Sequence, residues 1–313
     1  MKILVMGSGA LGGYFGGMLA RSGQEVTFFA RGAHLQAIQA HGLRVENTDD
    51  VFTVRATATD RPLEVEKPDF VLFTVKTYDT LPACEALIPI LGPQTSILTL
   101  QNGVNSRENI EAVLGRGKVI PGLAYVESTI ASPGVVRQLG GPRKIVLGES
   151  DGSRSNRLLR ITEALGGARI PIEVSEDIRR ELWQKFLFIC ALAGVTCVTR
   201  LTLGEILESA ETKWAFEETI RETYRAGLAD GVKLDGAAVQ RTLEVSSRMN
   251  REMKSSMQRD LEMGRRLEID ALNGTVVRLA AKYRVEAPVN RCIYAFVKPH
   301  DLLAMRTHRA NAA

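Results

Sequence analysis

The fold is decided by residues 1–31, which read MKILVMGSGALGGYFGGMLARSGQEVTFFAR. The apolar residues 3–6 suit a short buried strand, a glycine-rich run follows at 7–12, and the residues through Ala20 suit a helix. A second apolar run, residues 26–30, ends at Arg31. This succession of strand, glycine turn, helix and strand predicts the first unit of a Rossmann-type parallel sheet.

The glycine run has the spacing of a dinucleotide-binding fingerprint. Gly7 permits a tight turn, Gly9 lets the backbone approach a pyrophosphate, and Gly12 allows the helix to pack closely on the strand. The helix N-terminus then stabilises the phosphate charge. The alternative is a glycine-rich turn with a purely structural role. The predicted cofactor-binding residues of this loop are Gly7, Ser8, Gly9, Ala10, Leu11 and Gly12.

Arg31 stands where proteins that bind NAD or FAD usually carry an acidic residue for the ribose hydroxyls. A guanidinium pairs with a 2′-phosphate in fork geometry and gains little from an uncharged ribose. The residue therefore favours NADPH as the cofactor. The alternative is a solvated arginine at the end of a strand.

The rest of the chain divides near residue 174. Up to that point short β-branched runs alternate with helical stretches, with core strands expected at 3–6, 26–30, 70–75, 96–100 and 119–122. Beyond it helices are expected at 176–198, 204–208, 211–230, 235–248, 260–283 and 290–297, with a frayed tail at 299–313. The predicted fold class is α/β, with an N-terminal Rossmann-type NADP-binding domain (1–174) and a C-terminal all-helical substrate and catalytic domain (175–313).

Composition excludes several function classes. The chain has 313 residues, of which 45% are hydrophobic and 24% charged, so it can form a sizeable core in about two domains. A net charge of +4 is too small to indicate nucleic acid. The four cysteines and four histidines lack the spacing of a disulfide framework or a metal site. We expect a cytoplasmic protein with no metal and no membrane span; a homodimer through the helical domain stays open.

Several further segments resemble the ketopantoate reductase (2-dehydropantoate 2-reductase) family over nearly the whole chain. Besides the glycine loop with Arg31, they are Val75-Lys76-Thr77, Gln101-Asn102-Gly103-Val104, Glu181-Leu182-Trp183-Gln184-Lys185, Ser255-Ser256-Met257, Glu268-Ile269-Asp270 and Asn273-Gly274. The resemblance implies NADPH-dependent reduction of 2-dehydropantoate to pantoate, a step of pantothenate biosynthesis, and a small 2-oxo acid as substrate.

The resemblance makes Lys185 the proton donor to the developing alkoxide. The surrounding residues 186–189 are apolar, and desolvation lowers the pKa of a lysine toward the range that suits a general acid. A structural lysine that extends its amine to water is the alternative.

Two more residues of the helical domain acquire roles from the resemblance. Glu268 matches the family glutamate that positions the lysine or contacts the cofactor; its alternative is an exposed helix glutamate paired with Arg265 or Arg266. Ser256 matches the serine that binds the substrate carboxylate.

Three residues of the first domain are similarly implied. Asn102 follows a predicted strand and matches a contact to both cofactor and substrate, although Asn-Gly is also an ordinary turn signal. Lys76 resembles the family lysine near the nicotinamide ribose, with a solvated strand-end lysine as the alternative. Ser128 aligns with a backbone contact to the cofactor.

The chain departs from the family at three asparagine positions. Ile189 and Ala193 lie four and eight residues after Lys185, on the same helical face, and are predicted to line the substrate pocket. Leu203 replaces a third asparagine. These replacements favour an alternative function, the same mechanism on a less polar 2-oxo acid or ketone. An alternative of another class is a non-catalytic NADPH-sensing protein.

Overall fold

The computed structural model describes residues 1–310, which form two compact units. The first unit comprises residues 1–101 and 105–178, and the second comprises residues 102–104 and the chain from Arg179 onward. Each unit has a hydrophobic core of its own.

The first unit contains ten strands and five α-helices among its described residues. In chain order they are β1 Lys2–Met6, α1 Ala10–Arg21, β2 Glu25–Phe29, α2 Gly32–His41, β3 Leu43–Glu46, β4 Val51–Val54, β5 Thr57–Thr59, β6 Phe70–Phe73, α3 Thr80–Leu87, β7 Ser96–Thr99, α4 Ser106–Leu114, β8 Val119–Ser132, β9 Val135–Leu147, α5 Asn156–Gly167 and β10 Ile172–Val174.

Six of these strands form a parallel sheet in the order β5-β2-β1-β6-β7-β8. This is the Rossmann order, in which the chain reverses direction across the sheet between β1 and β6. All residues of β6 and β7 are buried, because helices cover both faces of the sheet. The predicted fold class is confirmed, and all five predicted core strands are present.

The sheet extends beyond β8 in a way that the sequence analysis missed. Residues 122–132 of β8 pair antiparallel with β9. Strand β9 also pairs in parallel with β3 and β10, and β3 pairs antiparallel with β4. These strands mix polar and apolar residues, and β9 contains Gly140, Gly141 and Pro142. A search for continuous apolar runs does not detect such strands.

The second unit is helical. Its helices are α6 Ile178–Thr199, α7 Leu203–Glu208, α8 Ala210–Ala229, α9 Ala238–Ser247, α10 Ser256–Glu262, α11 Asn273–Tyr283 and α12 Pro288–Ala310.

Two helix predictions for this unit are wrong. The single helix predicted at 260–283 is divided, because Gly264 adopts a positive φ of 65° after α10 and α11 begins only at Asn273. The tail predicted to fray from 299 is helical through Ala310, and residues 311–313 of that prediction lie outside the described residues. The buried Asp301 ties α12 to the preceding chain by accepting the Leu267 N–H at 3.0 Å.

Helix α6 is long and largely apolar. Its length and composition would suffice to cross a membrane, but 61% of its apolar 18-residue stretch is buried inside the protein. Trp183 is 1% exposed and packs edge-to-face on Phe186 with ring centroids 5.4 Å apart. We therefore describe α6 as a core helix.

Candidate active site

The turn between β1 and α1 requires glycine at two positions. Gly7 has a φ of 98°, and a Cβ there would lie 2.7 Å from the backbone nitrogen of Val75. A Cβ at Gly12 would overlap the Gly7 carbonyl oxygen and Thr74 Oγ1. Neither position has room for a side chain, because the turn is pressed against the residues that follow β6.

Gly9 has the opposite environment. No atom lies within 4 Å of the place where its Cβ would stand, so the backbone is open on that side. Gly9 is also the N-cap of α1 and supplies no side-chain cap, so the first N–H groups of α1, from Ala10, Leu11 and Gly12, remain available for an anion. This open, uncapped helix N-terminus fits the pyrophosphate of a dinucleotide.

Ser8 contributes to this loop through its backbone only. Its side chain is buried, and both its Oγ and its N–H donate hydrogen bonds to the Phe29 carbonyl oxygen at 3.1 Å. The hydroxyl therefore points into the sheet. The sequence pattern could not reveal this, because Phe29 lies on β2.

The other predicted cofactor residues of the first unit occupy separate places in its sheet. Arg31 is exposed at the N-cap of α2, directly after β2, and Lys76 is half-buried after β6. Ser128 is half-buried on β8 opposite Gln138, where the register with β9 is irregular. Arg31 and Lys76 follow strands that flank β1 in the sheet, whereas Ser128 belongs to the antiparallel extension.

The second unit brings Lys185 and Asn102 together. The half-buried Lys185 of α6 donates a hydrogen bond from Nζ to Asn102 Oδ1 at 3.1 Å, although the two residues are 83 positions apart. Burial lowers the pKa of Lys185 to about 8, and the negative charge of Glu268 opposes this shift. The lysine is thus held in position with an acidity suited to proton transfer near neutral pH.

Glu268 is buried and lies in the loop between α10 and α11, so the alternative of an exposed helix glutamate is wrong. Its carbonyl oxygen accepts the N–H groups of Ala271 and Leu272 at 3.0 and 3.1 Å, which stabilise the turn before α11. The loop therefore fixes the backbone that carries this carboxylate.

Two adjacent serines at the start of α10, Ser255 and Ser256, have different environments. Ser255 is the buried N-cap whose Oγ accepts the Gln258 N–H at 2.9 Å and lies 2.8 Å from Thr196 Oγ1. Ser256, the predicted substrate residue, is the first residue of the helix and is exposed. A serine before a helical run is the usual signal for such a cap, and Ser255 is a cap that the predicted helix at 260–283 leaves out.

The three positions that depart from the family are apolar in the structure too. Ala193 and Leu203 are buried in the hydrophobic core of the second unit, and Ile189 packs against that core while half-buried. These side chains offer no hydrogen-bonding group to a ligand. Among the described side chains, those of residues 1–307, no cluster of three or more histidine, cysteine, aspartate or glutamate residues is arranged to hold a metal ion.

Comparison with known proteins assigns both parts of the chain to one family. Residues 3–152 match the family model described as ketopantoate reductase PanE/ApbA, and residues 177–301 match that of its C-terminal part. The chain is 32% identical to a 2-dehydropantoate 2-reductase of Mesorhizobium japonicum, over 95% of this chain and 97% of the relative. It is 29% identical to an uncharacterised oxidoreductase of Bacillus subtilis, over 96% and 99% of the two chains.

A solved structure gives the same result. A PanE/ApbA family ketopantoate reductase from Ralstonia eutropha superposes with a TM-score of 0.90 at 33% identity, covering 97% of this chain and all of the other.

Proposed function

The chain belongs to the ketopantoate reductase family, a family of oxidoreductases that use a pyridine nucleotide, and we propose that it reduces 2-dehydropantoate to pantoate with NADPH. The observation that carries the proposal is the hydrogen bond from Lys185 Nζ to Asn102 Oδ1, made by a lysine whose pKa is lowered to about 8. This activity is a step of pantothenate biosynthesis, for which we propose a cytoplasmic location.

The two parts of the chain have different proposed roles. Residues 1–174 hold the cofactor through the Gly7–Gly12 loop, Arg31, Lys76 and Ser128, and residues 175–313 provide substrate binding and proton transfer. Asn102 serves both ligands. When bound, NADPH supplies the hydride that reduces the 2-oxo carbon.

Lys185 supplies the proton. With a pKa of about 8, most of its amine is protonated at neutral pH, so the reaction starts with the acid form present. The same ammonium stabilises the negative charge that develops on the substrate oxygen before the proton moves. Asn102 holds the amine in place, and Glu268 keeps its pKa from falling further.

Specificity for NADPH is proposed to come from Arg31. Its exposed guanidinium lies at the N-cap of α2, just after β2, where Rossmann proteins that use NADP bind the 2′-phosphate. A doubly charged phosphate gains charge-assisted hydrogen bonds from this group, and a ribose hydroxyl gains far less.

A second candidate substrate is a less polar 2-oxo acid or ketone, reduced by the same mechanism. The buried Ala193 and Leu203 and the half-buried Ile189 favour it, because each polar group of a ligand left without a partner costs about 1–3 kcal/mol. In both cases Ser256 is the proposed ligand of the substrate carboxylate.

The test is a steady-state assay that follows NADPH oxidation with 2-dehydropantoate and with a panel of branched and aromatic 2-oxo acids, each repeated with NADH. A kcat/KM highest for 2-dehydropantoate supports the leading proposal. A preference for an apolar 2-oxo acid replaces the substrate and keeps the mechanism. Tight NADPH binding without turnover of any compound would overturn the enzymatic proposal in favour of a sensor.

A further inference from the structure

His34 connects two segments of the first unit that are far apart in sequence. Its side chain lies on the first turn of α2 and is half-buried. Nε2 lies 2.8 Å from the carbonyl oxygen of Ser8, inside the glycine loop, and Nδ1 lies 3.0 Å from the backbone nitrogen of Gly134, in the turn between β8 and β9.

The two contacts determine which nitrogen of the imidazole ring carries a proton. The Gly134 N–H can only donate, so Nδ1 must accept and carries no proton. The Ser8 carbonyl oxygen can only accept, so Nε2 must carry the proton and donate. His34 is therefore held as the neutral tautomer protonated on Nε2.

The contact to Ser8 determines how the next peptide group is oriented. The structure contains no cis peptide bond in the described chain, so the Ser8–Gly9 peptide is trans and planar, and the Gly9 N–H points opposite to the Ser8 carbonyl. His34 holds that carbonyl, while the N–H and Oγ of Ser8 are both bound to Phe29. Of the hydrogen bonds that hold Ser8, the one from His34 restrains the Ser8–Gly9 peptide itself and thereby the direction of the Gly9 N–H.

Gly9 is the position where the loop is open. It is the uncapped N-cap of α1, and no atom lies within 4 Å of the place of a Cβ. Peptide N–H groups at such a helix start bind phosphate oxygens best when their direction is fixed before the ligand arrives.

We propose that His34 is a positioning residue for the cofactor pyrophosphate, which acts by fixing the Ser8–Gly9 peptide so that the Gly9 N–H is presented to the phosphate. This inference rests on the proposed function, because it takes the Gly7–Gly12 loop to be the cofactor site. His34 also joins this loop to the helix that Arg31 caps, so one side chain aligns both phosphate-binding segments.

The surroundings of His34 make its protonation a usable probe. Burial lowers its pKa below 6.5, and the bond to the Ser8 carbonyl opposes that shift. The two backbone groups that the ring contacts belong to Ser8 and Gly134. The residues around them, 7–9 and 132–134, carry no titratable side chain, and neither does the neighbouring β5. On α2 itself the charged or titratable groups are Arg31 at the N-cap and His41 in the last turn.

The experiment compares four variants with the wild type by fluorescence titration of NADPH and by kcat at saturating NADPH. His34→Phe keeps the ring volume and loses both hydrogen bonds, and we expect Kd to rise about tenfold while kcat is retained. His34→Gln can still donate to Ser8, and His34→Asn can still accept from Gly134, so Gln is expected to restore more NADPH affinity than Asn. His41→Gln, on the same helix, is the control and should leave Kd unchanged.

A pH series separates positioning from simple packing. As the pH falls through the lowered pKa of His34, Nδ1 gains a proton and can no longer accept the Gly134 N–H, so wild-type Kd rises toward that of His34→Phe. The ratio of the two Kd values therefore shrinks in acid; the cofactor's own titration affects both proteins and cancels in the ratio.

The outcomes distinguish this inference from the proposed function. If the wild type does not bind NADPH, the proposed function fails. If the wild type binds NADPH and all His34 variants bind it equally, the positioning role is overturned. If His34→Phe does not fold, the order of Gln above Asn decides, and equal affinities for these two variants would contradict the proposal.

Discussion

The glycine loop of the first unit and the Lys185 site of the second unit use opposite means to prepare a site. In the loop the working groups are backbone N–H groups, and glycines are required because side chains have no room at Gly7 and Gly12. At Lys185 the working group is a side-chain amine whose pKa is set by burial and by Glu268. The loop presents backbone groups of consecutive residues, whereas the Lys185 site combines side chains from segments distant in sequence.

This difference determines what a substitution should do. A change in the loop should act on cofactor binding, because backbone geometry sets the anion site. A change at Lys185 or Glu268 should act on the rate and its pH dependence, because these groups control a proton. A variant of either site that changed both the cofactor affinity and the pH dependence of the rate would contradict this separation.

The largest effect is expected for Lys185→Ala. Loss of a general acid should lower kcat about 10²- to 10⁴-fold, while NADPH Kd stays the same because the cofactor loop is untouched. Steady-state assays and fluorescence titration measure the two quantities. The control is Lys282→Ala on α11, an exposed lysine that pairs with Asp230. A Lys185→Ala variant with the wild-type rate would remove the assigned role.

The next effect is expected for Arg31→Ala. Loss of charge-assisted hydrogen bonds to the 2′-phosphate should raise NADPH Kd about 10- to 100-fold and change NADH Kd by less than about twofold. The measurement is a pair of titrations, with Arg160→Ala in α5 as a matched arginine control. An equal loss of affinity for NADPH and NADH would show that Arg31 does not bind the 2′-phosphate.

A pair of glycine variants separates packing from ligand binding within the loop. Gly12→Ala should lower stability by about 1–3 kcal/mol, because its Cβ overlaps Gly7 and Thr74. Gly9→Ala should keep the wild-type Tm, because its Cβ meets no protein atom, yet weaken NADPH binding about tenfold where the pyrophosphate approaches.

Thermal unfolding and NADPH titration of both variants give the result. Gly167→Ala in α5, where a Cβ also meets nothing within 4 Å, is the control for the substitution itself. Unchanged NADPH affinity in Gly9→Ala would mean that the open side of the loop does not face the cofactor.

The smallest effect is expected for Glu268→Gln, and it concerns pH. Reduction needs the protonated amine, so kcat should fall as pH rises through the Lys185 pKa of about 8. Glu268 raises that pKa, so its neutralisation should move the fall to lower pH and change the rate at neutral pH by less than about threefold. A shift of the profile to higher pH would contradict this electrostatic role.

Patterns of consecutive residues predict the local parts of the fold. The strand–glycine–helix pattern of residues 1–31 predicts β1, α1 and β2, because each of these elements is formed by consecutive residues. Such patterns do not reveal β9, whose pairing depends on distant strands, and they predict one helix at 260–283 where the structure has two. Gly264 is the sequence signal for the break between these two helices. The predicted single helix includes Glu268, whereas in the structure α10 ends before the buried Glu268.

The Rossmann-type fold, the glycine loop and the family follow from the sequence alone, because the glycine spacing and the apolar strands are patterns of consecutive residues. Three contacts arise only in the folded chain: Lys185 bonds to Asn102, the Ser8 hydroxyl bonds to Phe29 in the sheet, and His34 bonds to the Ser8 carbonyl. These contacts join residues 21 to 83 positions apart, and their burial and hydrogen bonding exist only once the segments have packed together.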